Sequence, residues 1–325
     1  MPAALGCFAN VAPTAAGYRI GIDENGLGAR LGPLIVTAAL ARVTREGAQW
    51  LAAGGHAALS ADLGDSKVLA SHADSRRGEA WARALAEGPG LPPAASPAAL
   101  FERLSLEGPP ALGARCPAAA WAQCWGTDGE PFRATDALVD RVRGHLRELT
   151  ARGVLVERVL TSVVCTARLN EERAVGRSRF VVDLHAMERL LLRLRDSVDA
   201  DVHAVCGKVG GIGDYPRFFG PLAGRLHSVL AAERAHSAYH LPGLGQVHFV
   251  MDADAHDALV MLASLVGKYV RELFMGRIGR FHAGAAAVRD LPSGYHDPRT
   301  DRFVVATAGS PSRDRVPPTC FERDR

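Results

Sequence analysis

The amino-acid sequence predicts an α/β layer fold, on three observations. Short apolar runs of strand character alternate with longer segments whose apolar residues recur at helical spacing. Gly- and Pro-rich stretches punctuate them. No run approaches the roughly 20 consecutive apolar residues that a membrane helix needs, and hydrophobic residues make up 48% of the chain, enough for a globular core.

Taken in order, residues 1–16 read as a loose leader. Met1 to Thr14 has no Arg or Lys before its short apolar stretch, a poor signal peptide, so the chain is expected to be soluble and cytoplasmic. Tyr18 to Ile22 and Pro33 to Val43 read as strands joined by a Gly-rich turn. Residues 74–87 suit a short helix, which Gly88-Pro89-Gly90-Leu91-Pro92-Pro93 breaks. Residues 88–130, rich in Ala, Pro and Gly and without a clear period, read as a variable insertion. Helices are expected over 133–151 and 171–198, with the strand Val154–Val164 between them. Leu184, Met187, Leu190, Leu191 and Leu194 form an apolar stripe in the second helix, a core face. Val202–Val205 reads as a strand, 215–233 as mostly helical, Val247–Met251 as a strand and Ala258 to Met275 as a long apolar helix; a turn-rich tail starts at Gly294. These elements make one domain over 17–310, with a C-terminal tail at 311–325, and a monomer is expected.

Composition excludes some chemistries. The six cysteines are scattered without a CxxC pair, so neither a zinc site nor a disulfide framework is indicated. There is no Walker-type loop, no GxGxxG after a strand, and no signature of a Ser or Cys nucleophile with a His base. The formal charge of +3 does not by itself point to a nucleic acid, although a local basic groove would be enough. Of the 38 basic residues only Lys67, Lys208 and Lys268 are Lys. In so Arg-biased a chain, the positions that stay Lys are those that need a compact ammonium.

The sharpest signal is Gly21-Ile22-Asp23-Glu24-Asn25-Gly26-Leu27-Gly28, two adjacent acids at the end of an apolar strand that runs into a turn with two glycines. Neighbouring strand side chains face opposite ways, yet at a strand end both acids can reach one cluster of Mg2+ or Mn2+, which favour hard oxygen ligands. The glycines leave backbone N–H groups open to a phosphate or sugar. Three further segments follow: Asp65-Ser66-Lys67-Val68-Leu69, the run from Ala263 to Glu272 around Ser264 and Lys268, and Ser293-Gly294-Tyr295-His296-Asp297-Pro298 through to Phe303.

Together these four segments, in this order, resemble the motifs of the ribonuclease HII-like, type 2 ribonuclease H family. In its opening motif Leu27 stands where the family has Arg. The resemblance implies a ribonuclease H-like mixed β-sheet flanked by helices. It implies a divalent-metal-dependent endonuclease that cuts the RNA strand of RNA–DNA hybrids or embedded ribonucleotides. Asp23, Glu24 and Asp254 would be the catalytic metal ligands, holding Mg2+ or Mn2+. Asp254 lies ten residues before Ser264, as the family spacing requires, with Asp252 and Asp257 as alternatives. Gly26 and Gly28 would approach the ribose 2′-hydroxyl, Lys67 and Lys268 the nucleic-acid backbone, and Tyr295 a sugar. One expected acid is missing. The strand Val202-His203-Ala204-Val205-Cys206-Gly207 places Cys206 at the acid position in one register and Gly207 in the other, while Asp214 stands in the following turn. The loss opens a second reading, a catalytically impaired relative that binds hybrid nucleic acid or another partner without cutting.

Overall fold

The computed structural model describes residues 15–69, 74–87, 91–127, 129–208, 210, 213–284 and 291–324. The leader over residues 1–14 and Ile212, part of one alignment register, lie outside the described residues.

A seven-stranded mixed sheet runs through the molecule in the order β3-β2-β1-β4-β7-β6-β5. The strands are β1 (Gly17–Asn25), β2 (Leu34–Val43), β3 (Val154–Val164), β4 (Val202–Gly207), β5 (Ser228–Ala232), β6 (His236–Leu241) and β7 (Gly245–Val250). β1, β4 and β7 are parallel neighbours, and the remaining pairs are antiparallel. The carboxyl ends of the three parallel strands therefore lie together, which is where open α/β sheets bind ligands.

The helices are α1 (Arg45–Ala52), α2 (Ser66–Leu69), α3 (Arg76–Leu85), α4 (Pro97–Leu104), α5 (Pro109–Gly113), α6 (Ala118–Trp125), α7 (Asp136–Ala151), α8 (Thr166–Ala174), α9 (Arg179–Arg195), α10 (Ala258–Ala283), α11 (Pro298–Ala306), α12 (Ser310–Arg313) and α13 (Pro318–Phe321). They cover both faces of the sheet. On one face Ile20, Ile22, Val36 and Cys206 pack with Leu184, Met187, Leu190 and Leu191 of α9. On the other, Ile35 and Ala39 pack with Leu259, Leu262, Leu265 and Val266 of α10, together with Trp81 of α3 and Val142 of α7. The alternation along β1 and β2 is what assigns each residue to a layer.

The structure corrects several expectations. β1 continues through Asn25, so Asp23 and Glu24 lie inside the ladder opposite Thr37 and Val36. The helix expected over 171–198 is two helices, parted at Gly176, where φ is +83°. Residues 215–233 are not helical: Tyr215–Phe218 is one 3-10 turn and Ser228–Ala232 is the edge strand β5. β6, unforeseen, pairs β5 to β7. Cross-strand pairing overrode the helix propensity of Leu222 to Ala232. The segment 91–127 forms three helices, and Leu100, Phe101, Leu104 and Trp125 enter the α10-side core. The C-terminal segment also packs: Val316 and Phe321 are buried with Leu31, Met275 and Phe303.

Candidate active site

Two close approaches set α10 against β1. A Cβ on Gly21 would stand 2.3 Å from backbone atoms of Leu259 and Val260, and one on Gly267 would stand 2.7 Å from Asn25 Nδ2. Only glycine fits such a crossing. Asn25 Nδ2 donates to the Ser264 carbonyl (3.2 Å), and the Ser264 hydroxyl bonds Asp23 and lies 2.9 Å from Ser66 Oγ. β1, α10 and α2 thus meet at Asp23.

Asp23 is buried on the α10 face. Glu24, one residue on, has the parity of Ile20 and Ile22 and turns toward the α9 layer. The two carboxyls still converge at the strand edge. A Cβ on Gly207 would lie 3.0 Å from Asp23 Oδ1 and 3.4 Å from Glu24 Oε2. Gly207 is therefore the β4 position that faces the acids. Cys206, its neighbour, points the other way into the α9-side core and is 1% exposed.

Asp254 follows β7 in a 3-10 turn and is buried. Its Oδ2 accepts from Lys67 Nζ at 2.8 Å. Lys268 Nζ donates to the Ser66 carbonyl at 3.0 Å, so two of the three lysines converge on α2. Lys208 turns away, donating to the Glu233 carbonyl (2.9 Å) and Ser237 Oγ (3.1 Å). Of the alternatives to Asp254, Asp252 is exposed with φ +53°, and Asp257 caps α10, its Oδ1 accepting from Leu259 N and Val260 N at 2.9 and 3.0 Å. Asp214 is exposed and pairs with Arg217.

The turn after β1 is pinned from within. Arg323 donates to the Gly26 carbonyl (2.6 Å) and the Gly32 carbonyl (2.8 Å), and Arg271 to the Ser293 carbonyl (2.9 Å). Arg30 N and Leu31 N both donate to the Gly294 carbonyl, at 2.7 and 2.9 Å. Tyr295, 42% exposed, lies with its ring 4.5 Å from the Arg271 guanidinium. Gly26 and Tyr295 thus belong to one joined loop pair. Gly26 is buried with its carbonyl occupied, and Gly28 is exposed with open space where a side chain would be.

Electrostatics set this corner apart. Burial, reinforced by the Glu24 charge, pushes the Asp23 carboxyl well above its usual range, against the Ser264 hydrogen bond. Burial and then the Asp183 charge raise Glu24 to about 8. Asp183, on α9, was missed by the sequence reading. It is fully buried, and neither carboxylate oxygen accepts a hydrogen bond from any described group. Its signal was present: Asp183 sits at helical spacing on the stripe of Met187, Leu190, Leu191 and Leu194.

The donor chemistry here suits a hard divalent cation: carboxyl oxygens crowded at one corner, whose ionised forms burial and mutual repulsion disfavour without a cation. Asp23 and Glu24 already converge, and they would hold it. Among the described residues, no three His, Cys, Asp or Glu side chains stand close enough together to hold a metal ion as they are placed.

A separate cavity of about 420 Å³ brings together Cys116, Cys124, Cys165 and Cys320, which are distant in sequence. No disulfide joins them. Burial raises Cys124 to about 12 and Cys320 to about 11. The Cys124 and Cys320 thiols stay protonated at neutral pH, and the cavity shares no lining with Asp23, Glu24 or Asp254.

No family model and no curated protein matches this sequence. Among solved structures, the chain is similar to a Bst-RNase HIII in complex with Mn2+, at 15% identity and a TM-score of 0.49, over 99% of this chain and 70% of that one. It is also similar to the RNase HII of a PCNA:RNase HII complex from Archaeoglobus fulgidus, at 18% identity and a TM-score of 0.44, over 95% of each chain. A third is ribonuclease H2 from Pyrococcus horikoshii OT3, at 13% identity and a TM-score of 0.37, over 94% of this chain and 92% of that one. Among the described residues no helix is long and apolar enough to cross a membrane.

Proposed function

We propose that this chain is a type 2 ribonuclease H-like endonuclease, cutting the RNA strand of RNA–DNA hybrids or at embedded ribonucleotides with Mg2+ or Mn2+. One observation carries the reading. Four motifs dispersed over residues 21–303 furnish the parts of a single corner: Asp23 and Glu24 converge at the carboxyl end of β1, and Ser66 bonds Ser264 beside them. Lys67 holds Asp254, and Arg271 of the α10 motif lies under Tyr295.

Asp23, Glu24 and Asp254 are proposed as the cation ligands. A bound divalent cation would supply neutralisation of the scissile phosphate and activation of the attacking water. The chain's own residues do the positioning. Lys67 and Lys268 offer compact positive charges to the backbone phosphates. Gly28 presents open backbone to the ribose, and the exposed Tyr295 ring, backed by Arg271, offers a flat face to a sugar. Asp254, paired with Lys67 at 2.8 Å, would turn its carboxylate to a bound cation, and Lys67 would then serve a phosphate.

The second reading, a hybrid-binding relative that does not cut, is favoured by Gly207, which brings no carboxyl to the space beside Asp23. Cleavage of a labelled hybrid and of a duplex with one embedded ribonucleotide, each with Mg2+ and with Mn2+, decides between them. The expected result is slow, cation-dependent cutting that Asp23→Asn abolishes. Tight hybrid binding with no cutting in either metal selects the second reading, and neither binding nor cutting rejects both.

A further inference from the structure

Asp183 has no structural explanation in the protein around it. Its neighbours Val182 and Leu184 are core residues, and it is 0% exposed. A buried polar group left without a partner costs on the order of 1–3 kcal/mol, and more if it is charged. Asp183 lies beyond the first turn of α9, out of reach of the helix N-terminal dipole. Among the described residues no basic side chain compensates it: the charge acting on it is that of Asp23, also negative.

Placement says what it faces. β1 turns Glu24 toward the α9 layer, and β4 turns Cys206 the same way. The Asp183 charge is the largest acting on both, ahead of Asp254 in the case of Glu24. Asp183 therefore lies under the ends of β1 and β4, on the opposite side of the sheet from Asp254. Above it, beside Asp23 and Glu24, is the Gly207 position, where β4 contributes no side chain.

We infer that Asp183 is a ligand of the divalent cation at this site, supplying from the α9 layer the carboxylate that β4 lacks at Gly207. This rests on the cation-dependent reading of the Asp23–Glu24 corner. A cation seated between Asp23 and Glu24 would compensate the buried acid from this side. The centre then draws on both faces of the sheet, with Asp23 and Asp254 from the α10 side and Glu24 and Asp183 from the α9 side.

Mn2+ binding by calorimetry and the thermal midpoint with and without Mn2+ test this in the full chain. The proteins compared are the unmodified protein, Asp23→Asn, Asp183→Asn and Asp183→Asn with Gly207→Asp. Asp183→Asn is expected to weaken Mn2+ binding at least tenfold and to lose most of the Mn2+-induced rise in midpoint. Its metal-free midpoint should match or exceed that of the unmodified protein, because an unpartnered carboxyl has been removed. Gly207→Asp should restore binding by placing an acid beside Asp23. The inference is overturned if Asp183→Asn binds Mn2+ as the unmodified protein does while Asp23→Asn does not. It is also overturned if Asp183→Asn lowers the metal-free midpoint and leaves affinity unchanged, which marks a core role. An unmodified protein that takes up no Mn2+ rejects the cation reading of the whole corner, and this inference with it.

Discussion

Cys206 and Gly207 are adjacent on one strand and face opposite layers, so only Gly207 stands beside the Asp23 carboxyl. Pleating puts Cys206 with Ile22 in the α9-side core and Gly207 beside the Asp23 carboxylate. The sequence left both registers open, because a local run shows alternation but not which face is wet. The two substitutions should therefore differ in kind. Gly207→Asp is expected to raise Mn2+-dependent hybrid cleavage at least tenfold, provided Asp23 yields a few tenths of an ångström to the new Cβ. Adding Asp23→Asn should erase the gain. Cys206→Asp should not raise cleavage. It places an acid among Ile22, Leu184 and Met187 and is expected to lower unfolding free energy by roughly 2–5 kcal/mol, read from the urea midpoint. Asp183 shows the same limit from the other side. Its helical spacing was visible, but an acid on an apolar stripe looks like a solvated face until the packing shows that nothing solvates it.

At the level of elements, legibility followed burial pattern. β3 was read with its observed ends, Val154–Val164, and α10 was recognised although it runs on to Ala283. Both carry long apolar signals. The β5–β6 hairpin was not legible: β5 is an exposed edge of Ser, Val, Leu and Ala whose strand state depends on pairing with residues that come later in the chain. The helices of 91–127 were likewise illegible, being short and Ala- and Pro-rich, yet they place Phe101 and Trp125 edge-on against Phe274 of α10, with ring centroids 5.2 Å apart. They back the very helix that carries Ser264 and Lys268. The crossing of α10 over β1 is a tightly constrained contact between elements. Gly267→Val would drive methyl groups into Asn25 and Thr37 and break the Asn25 bond to the Ser264 carbonyl. Overpacking of this sort costs about 1–3 kcal/mol. A lower urea midpoint with unchanged m-value is expected, together with a loss of hybrid cleavage larger than the loss of stability explains, since Ser264 shifts away from Asp23.

Across the whole molecule ionisable groups are buried in several places, and two of these have opposite consequences for pH. At the carboxyl ends of β1 and β4, crowded acids are raised, Glu24 to about 8. On β7 and β6, imidazoles are depressed. His248 on β7 stacks on His236 of β6, with Nδ1 and Nε2 3.0 Å apart, lies tilted against His203 of β4, and has Gln246 Oε1 at 3.2 Å from its other nitrogen. Burial, then the His203 and His236 charges, lower it to about 3. The signs follow from which state holds more protons. Between pH 6.5 and about 3 the unfolded chain carries a proton on His248 that the folded chain refuses, so this stabilisation is present above pH 6.5 and is lost as pH falls. For Glu24 the folded chain holds the extra proton between pH 4.5 and about 8, so its contribution is present below pH 4.5 and is lost as pH rises. The two oppose each other through the mildly acidic range. Single substitutions separate them. The stability difference between the unmodified protein and His248→Gln should shrink as pH drops from 6.5 to 4, by at most about 1.4 kcal/mol per pH unit. The difference from Glu24→Gln should grow as pH drops from 8 to 5. Urea unfolding in metal-free buffer at half-unit pH steps reads both slopes. Equal, flat differences for the two variants would mean that neither group is titrating out of register with the unfolded chain. A His248 slope of opposite sign would mean that the imidazole is charged in the fold, held by a partner acid rather than by burial among its neighbouring histidines.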